Sequence, residues 1–221
     1  MTSRILEDSM TACEPGPGRA RVWMVVVAAG AVMGLALGLR HVQGLFLLPV
    51  TGTRGWSREL FGLALAVQNL VWGLAQPLAG MVADRHGSGR VVASGVVLYV
   101  LGLYGMTRAT TAAGFVLAAG VVTGLALAGT AFGVVYAAVS RKVPAPRRAW
   151  AIGMAGALGG LGQFLMVPAA QGLIVAMGWQ AALLVVAGVF ALMLPLARVL
   201  REDSTVEADP APPQALCEAL R

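Results

Sequence analysis

The sequence predicts an all-α membrane protein of six transmembrane helices, and three observations carry the prediction. Hydrophobic residues make up 58% of the 221 and charged residues 12%, whereas an ordinary soluble domain carries roughly 25% charged residues. The apolar residues fall in six runs on the scale of the roughly 20 residues that cross a bilayer as a helix, and only a helix or a closed barrel crosses with its backbone satisfied. The basic residues are unevenly shared between the segments that join those runs. Arg4, Arg19, Arg21, Arg85, Arg90, Arg141, Lys142, Arg147, Arg148, Arg198, Arg201 and Arg221 fall on one side, and Arg54, Arg58 and Arg108 on the other. By the positive-inside bias, that excess puts both termini in the cytoplasm.

The first helix is expected over Val22 to Leu48, after a cytoplasmic tail at 1–21. Glu7, Asp8, Glu14 and the following Pro15-Gly-Pro-Gly make that tail acidic and flexible, unlike the basic start of a secretory signal, and the next apolar run is too long for a signal core. Gly30, Gly34 and Gly38 lie along one face and allow close approach of a neighbour. Arg40 and His41 interrupt the second half of the helix. An arginine at membrane depth costs about 2.5 to 3.5 kcal/mol at the centre and less near the edge, so Arg40 must snorkel, pair or face water. It is either an anion-attracting site or an interface anchor.

Pro49 to Glu59 is expected as an outside loop with Trp56 at the interface. The second helix follows to Ala83 and places Gln68, Trp72 and Gln76 on one polar stripe. Amides in hydrocarbon need partners, which either a substrate path or neighbouring helices would supply. The third helix, Val91 to Met106, is broken only by Ser94, Tyr99 and Tyr104 and suits a lipid-facing position. The fourth, Ala112 to Ser140, has Gly120 with Gly124, Gly129 with Gly133, and the hydroxyls of Thr123, Thr130 and Tyr136, which argue for tight packing deep in a bundle.

The cluster Ser140 to Arg148 reads as a solvated cytoplasmic anchor whose prolines end one helix and start the next. The fifth helix, Ala149 to Met177, combines many glycines with Gln163, Pro168 and Gln171, which favour close contact and a bend. Gly178-Trp179-Gln180 makes the outside turn. The sixth helix, Ala181 to Ala197, has no hydrogen-bonding side chain and should face lipid. The bundle thus occupies 22–200, and 201–221 is a polar, proline-rich cytoplasmic tail or truncated linker.

Between the second and third helices stands the stretch Gly80 to Arg90, where charge is dense. Gly87 and Gly89 permit a short reversal, Arg85 and Arg90 suit the headgroup level, and Asp84 is an acid at a helix end where the macrodipole disfavours it. Asp84 therefore implies a basic partner or a helix N-terminus nearby. The spacing Gly80, Asp84-Arg85, Gly87, Arg90 resembles the signature loop of the major facilitator superfamily of secondary transporters, although Ser88 and Gly89 stand where many members carry basic residues. The turn Pro146-Arg147-Arg148-Ala149 and the pair Gly178-Trp179 are similar to that superfamily too. Gly38-Leu-Arg40, Gly44-Leu-Phe46, Gly55-Trp56-Ser57-Arg58 and Gln68-Asn69-Leu70 resemble bacterial relatives of the monocarboxylate and oxalate/formate carriers.

The resemblance covers almost the whole chain. It implies half of a twelve-helix fold, with the third and sixth helices peripheral and a conformational-switch loop (Gly80, Asp84, Arg85, Gly87, Arg90) whose Asp84 engages the second half during alternating access. It also implies secondary active transport of a small organic anion such as a monocarboxylate. Arg40, Gln68, Gln76, Tyr136 and Gln163 are the candidate substrate-binding residues. The expected partners are the bilayer, the solute, and a missing second half or a second copy. Six helices leave a truncated gene product, one half of a split transporter, or a half-size protein that dimerises, and truncation is preferred.

Other classes fit less well. The net charge of +6 is spread over loop anchors and forms no aromatic-interleaved patch, so nucleic acid is not expected. Cys13 and Cys217 lie in polar tails and imply neither a disulfide framework nor a metal site, and no cofactor is expected. A hydrolase needs a nucleophile and base at membrane depth, yet His41 and His86 fall on opposite sides, unpaired with serine or acid. A pore-forming oligomer or a non-transporting scaffold is the alternative. No Asp or Glu lies within the expected helices, so a proton-carrying carboxylate would come from a missing half. Arginine in place of lysine, with Ala, Gly and Val in the spans, points to a bacterial cytoplasmic membrane.

Overall fold

A computed structural model of the protein describes residues 18–200, and the expectations for the two tails at 1–17 and 201–221 lie outside it. Among the described residues the chain forms α1 (Arg19–Val42), a 3₁₀ turn (Gln43–Phe46), α2 (Leu47–Arg54), α3 (Arg58–His86) and α4 (Ser88–Arg108). Then come α5 (Ala112–Val116), a π-helical turn (Leu117–Val122), α6 (Thr123–Thr130), α7 (Phe132–Lys142), α8 (Ala145–Leu192) and α9 (Leu194–Val199). Among the described residues five helical runs are long and apolar enough to cross a membrane: Ala20–Arg54, Arg58–His86, Ser88–Arg108, Ala112–Lys142 and Ala145–Ala197.

The last of these runs is folded in half. Within α8 only Gly178 leaves helical dihedrals, at φ 79° and ψ 164°, a left-handed conformation that glycine adopts without a Cβ clash. The Lys142 ammonium, just before α8 begins, donates to the Val199 carbonyl at 2.6 Å, so both ends of the run lie at one end of the molecule. The bend lies at the other end, where the Trp179 indole donates to Thr53 Oγ1 at 2.8 Å and the Gln180 amide to the Thr107 carbonyl at 3.5 Å. The expected turn at Gly178 is therefore present. The helix runs through Pro168 without a break in its dihedrals.

Helix ends differ from the expected ones for local reasons. Pro49 to Glu59 is not a loop: helix persists to Arg54, because Pro49 lies in the first turn of α2, where a missing N–H costs little. Gly55 then turns at φ 66°, and Ser57 caps α3 by accepting from Leu60 N at 3.3 Å. The reversal after α3 likewise shrinks from Asp84–Arg90 to Gly87 alone, at φ 88°, since α3 reaches His86 and α4 starts at Ser88. The expected continuous helix Ala112–Ser140 is interrupted twice. Thr123 Oγ1 donates to Ala118 O five residues back at 2.9 Å beside the π turn, and Thr130 Oγ1 donates to Ala126 O just before Ala131 turns extended. Hydroxyl back-bonding of this kind bends helices.

Packing is closest where glycines meet. A Cβ on Gly34 would stand 3.1 Å from Gly162 Cα, one on Gly38 3.3 Å from Gln163 Cα, and one on Gly129 3.2 Å from Gly95 Cα. These contacts bind α1 to α8 and α6 to α4 backbone to backbone. They hold by dispersion between close surfaces, the main attraction available between helices in lipid.

The third and sixth helices, expected to face lipid, expose one apolar side and pack with the other. Tyr99 of α4 is fully buried, donates to the Ala36 carbonyl at 2.9 Å, and stacks on Phe190 of the second arm of α8 with centroids 4.3 Å apart. Val92, Val96 and Leu103 on α4, and Ala182, Leu183 and Val186 on α8, are buried with them, while Val97, Leu101, Leu184 and Val189 point outward. Each helix thus has one packed face. The packed side is not legible beforehand, because an all-apolar helix carries no marker of which side meets protein. The barest run is α3, where 17% of the most apolar stretch is buried, against 72% in Ala20–Arg54. Leu63, Leu70, Leu74 and Leu78 of α3, with Leu161, Phe164, Leu165 and Val175 of α8, are exposed.

Candidate functional site

Arg40 lies near the end of α1 and reaches across to α3. Its Nη2 donates to Asn69 Oδ1 at 2.7 Å, and its guanidinium carbon stands 4.8 Å from the centre of the Trp72 ring. Asn69 and Trp72 are three residues apart and so share a face of α3. Asn69 also donates to Leu65 O at 2.9 Å, which orients its carbonyl oxygen towards the arginine. The ring face and amide oxygen make this a paired arginine, and cation–π attraction at such a contact is about 0.5 to 1 kcal/mol where water reaches it and more where it does not.

The pairing leaves donors over. Arg40 Nε, Gln68 Nε2 and Trp72 Nε1 are buried side-chain nitrogens without a hydrogen-bond partner among the described residues. Gln68 is 1% exposed and sits one turn before Trp72 on α3. All three atoms carry N–H, and an unmatched buried donor costs about 1 to 3 kcal/mol. A region with excess donors around a guanidinium suits a ligand that brings acceptors and negative charge, as a carboxylate does.

Among the described residues no hydrogen bond joins the five candidate residues to one another. Gln68 adjoins the Arg40 cluster along α3, and Gln76 is half-buried two turns further on. The Gln163 backbone lies against Gly38, and the Tyr136 hydroxyl is packed where a Cβ on Gly156 would come within 2.8 Å. Among the described residues no hydrogen bond joins Gln76, Tyr136 or Gln163 to Arg40. Asn69 and Trp72 were the residues the sequence reading missed as Arg40's partners. Their spacing to Gln68 was visible, but which stripe faces α1 depends on the tertiary fold.

The Asp84 loop has the basic partner its sequence implied. Arg141, at the end of α7, forms a salt bridge to Asp84 at 2.5 Å and donates to the Ala83 carbonyl at 3.4 Å and Ser88 Oγ at 3.3 Å. One guanidinium thus caps the C-terminus of α3, neutralises the acid that the dipole disfavours, and holds the first residue of α4. Arg141 is not the solvated anchor expected of its cluster. Arg85 is exposed, Arg90 donates to the His86 carbonyl at 3.4 Å, and Gly80 is half-buried, with open space where a Cβ would stand. At the opposite end Arg54 donates to Thr107 O at 2.8 Å, with its guanidinium carbon 5.8 Å from the Trp56 ring centre and 5.6 Å from that of Trp179.

Apolar helical runs, ends fastened by arginines, and an arginine held near the end of α1 by an amide and an indole fit a polytopic helical membrane protein. The family model of the Major Facilitator Superfamily matches residues 22–216, and the chain belongs to that family. It is 33% identical over 207 residues to monocarboxylate transporter 11 of Mus musculus, which covers 90% of this chain and 44% of the relative. To the Homo sapiens protein of the same name it is 30% identical over 202 residues, 90% of this chain and 42% of the relative. A further relative is the probable anion transporter 4, chloroplastic, of Arabidopsis thaliana, 33% identical over 133 residues, 57% of this chain and 24% of that protein. The chain spans less than half the length of these curated relatives.

Proposed function

We propose that the chain takes part in secondary active transport of a small organic anion, a monocarboxylate by preference, by alternating access of a site at Arg40. The observation that carries this is the Arg40–Asn69–Trp72 cluster with its unmatched N–H groups. The names of the relatives, monocarboxylate and anion transporters, support the same solute class. Transport rather than catalysis is the reading for the whole chain. The chain crosses the membrane six times, with α8 folded at Gly178 into the fifth and sixth crossings. The arginine excess favours a cytoplasmic location for the Gly87 turn and both termini, and the composition favours a bacterial cytoplasmic membrane. The bare apolar faces of α3 and α8 fit a second six-helix half, or a second copy of this chain, across the solute path.

Equilibrium dialysis of radiolabelled lactate against the purified chain tests the site. Arg40→Gln should weaken binding at least about tenfold, which corresponds to 1.4 kcal/mol. Trp72→Phe, which keeps an aromatic face for the guanidinium but removes the indole N–H, should weaken it several-fold. Unchanged binding by Arg40→Gln would make Arg40 an interface anchor and remove the proposed site.

A further inference from the structure

At the end of the bundle that holds Asp84 and Arg141, a groove of about 410 Å³ opens between α1 and α8, lined by Val22, Trp23, Arg147 and Trp150. This is within the range of about 300 to 1,000 Å³ for small-molecule sites. Trp23 and Trp150 meet edge to face with ring centres 5.1 Å apart and planes at 84°, and both remain partly exposed. Arg147 is exposed, and its guanidinium has no ion pair or hydrogen bond among the described residues. The acids in 18–200 are Glu59, at the opposite end, and Asp84, which Arg141 already holds. The charge in this groove therefore has no carboxylate among the described residues to balance it.

Among the described residues, three of the four lining side chains are apolar or amphipathic. Val27, one turn along α1 from Trp23 towards the middle of the bundle, is 50% exposed and continues the apolar surface. A soluble anion would use the guanidinium and leave that surface bare. A glycerophospholipid would use both, because indoles favour the headgroup level and a guanidinium matches phosphate oxygens in a fork. Basic pockets between helices at a membrane face are the general form of such sites. The geometry points to a binding site for one anionic glycerophospholipid, its phosphate held by Arg147 beside the two indoles and its acyl chain lying along Val27. The site lies apart from the Arg40 cluster, and its test requires no transport.

Native mass spectrometry of the full chain in non-ionic detergent, titrated with dioctanoyl phosphatidylglycerol, reads the site directly. One tight adduct is expected. Arg147→Gln should weaken it at least about tenfold, Trp23→Leu several-fold, and Arg148→Gln, which changes an arginine that does not line the groove, should leave it unaltered. Phosphatidylcholine of the same chain length should bind at least about tenfold less well, and excess inorganic phosphate should not displace the lipid. Full retention of affinity by both Arg147→Gln and Trp23→Leu would overturn the proposal. So would equal affinity for phosphatidylcholine, or displacement by phosphate, which would assign the groove to a soluble anion.

Discussion

Replacing Gly162 with alanine tests the packing that positions the first and fifth spans. The added Cβ would stand 2.8 Å from Gly34 Cα and 3.2 Å from the Gly34 carbonyl carbon, whereas carbon atoms rest at about 3.5 to 4.0 Å. Both obstacles are backbone, so no rotamer change relieves them and α1 must move from α8 by about 1 Å. Overpacking of this kind costs about 1 to 3 kcal/mol. Alanine also favours helix over glycine by about 1 kcal/mol, which acts the other way. Gly160→Ala isolates that second effect, because an added Cβ there meets nothing within 4 Å. Gly160→Ala should be slightly stabilising, and Gly162→Ala should be less stable than Gly160→Ala by the overpacking cost. At about 2 to 4 °C per kcal/mol for a chain of this size, the two should differ in melting temperature by roughly 2 to 12 °C. The assay is intrinsic-fluorescence melting in one detergent. Equal melting temperatures would refute the backbone contact.

Four further outcomes can be measured. Arg141→Gln should cost about 1 to 2 kcal/mol, since three acceptors lose a charged donor. Asp84→Asn should cost under about 1 kcal/mol, because the pair is part-exposed and Arg141 keeps its other bonds; an equal loss in the two variants by melting would contradict the clamp. Tyr99→Phe preserves the stack on Phe190 and removes the bond to Ala36 O, so a loss of about 1 kcal/mol is expected, and no change in melting would show that bond to be neutral. Purified chain reconstituted alone in proteoliposomes should show little coupled uptake of lactate, and robust uptake would contradict the need for a second half or copy.

What was legible in the sequence was whatever a one-dimensional period can encode. Apolar length gave the long helical runs, five of which among the described residues could cross a membrane, Gly30-Gly34-Gly38 gave the face of α1 that meets α8, and the misplaced charge of Asp84 gave the existence of a basic partner. The identity of that partner was not legible, because Arg141 is 57 residues away in sequence. The packed side of α4 was hidden for a different reason: Tyr99 looked like a stray polar break, and only the fold brings Phe190 over its ring and Ala36 O to its hydroxyl. Turns are shorter than the sequence suggests, because charge does not by itself end a helix. In fact Arg54, Asp84 and His86 remain helical, and the left-handed glycines Gly55 and Gly87 make the reversals. Arg40 was visible as an oddity, whereas its settlement by Asn69 and Trp72 needed the approach of α1 to α3.

Every later step depends on helix ends alternating across the membrane, and cysteine accessibility measures that most directly. In a chain carrying Cys13→Ser and Cys217→Ser, single cysteines at Arg85, Arg148, Arg108 and Gln180 would be exposed to a membrane-impermeant maleimide in intact and permeabilised cells. The account predicts that Arg108→Cys and Gln180→Cys react in intact cells, and that Arg85→Cys and Arg148→Cys react only after permeabilisation. Labelling of Arg148→Cys and Gln180→Cys from the same side would contradict the crossing between them, and with it the carrier built on that crossing.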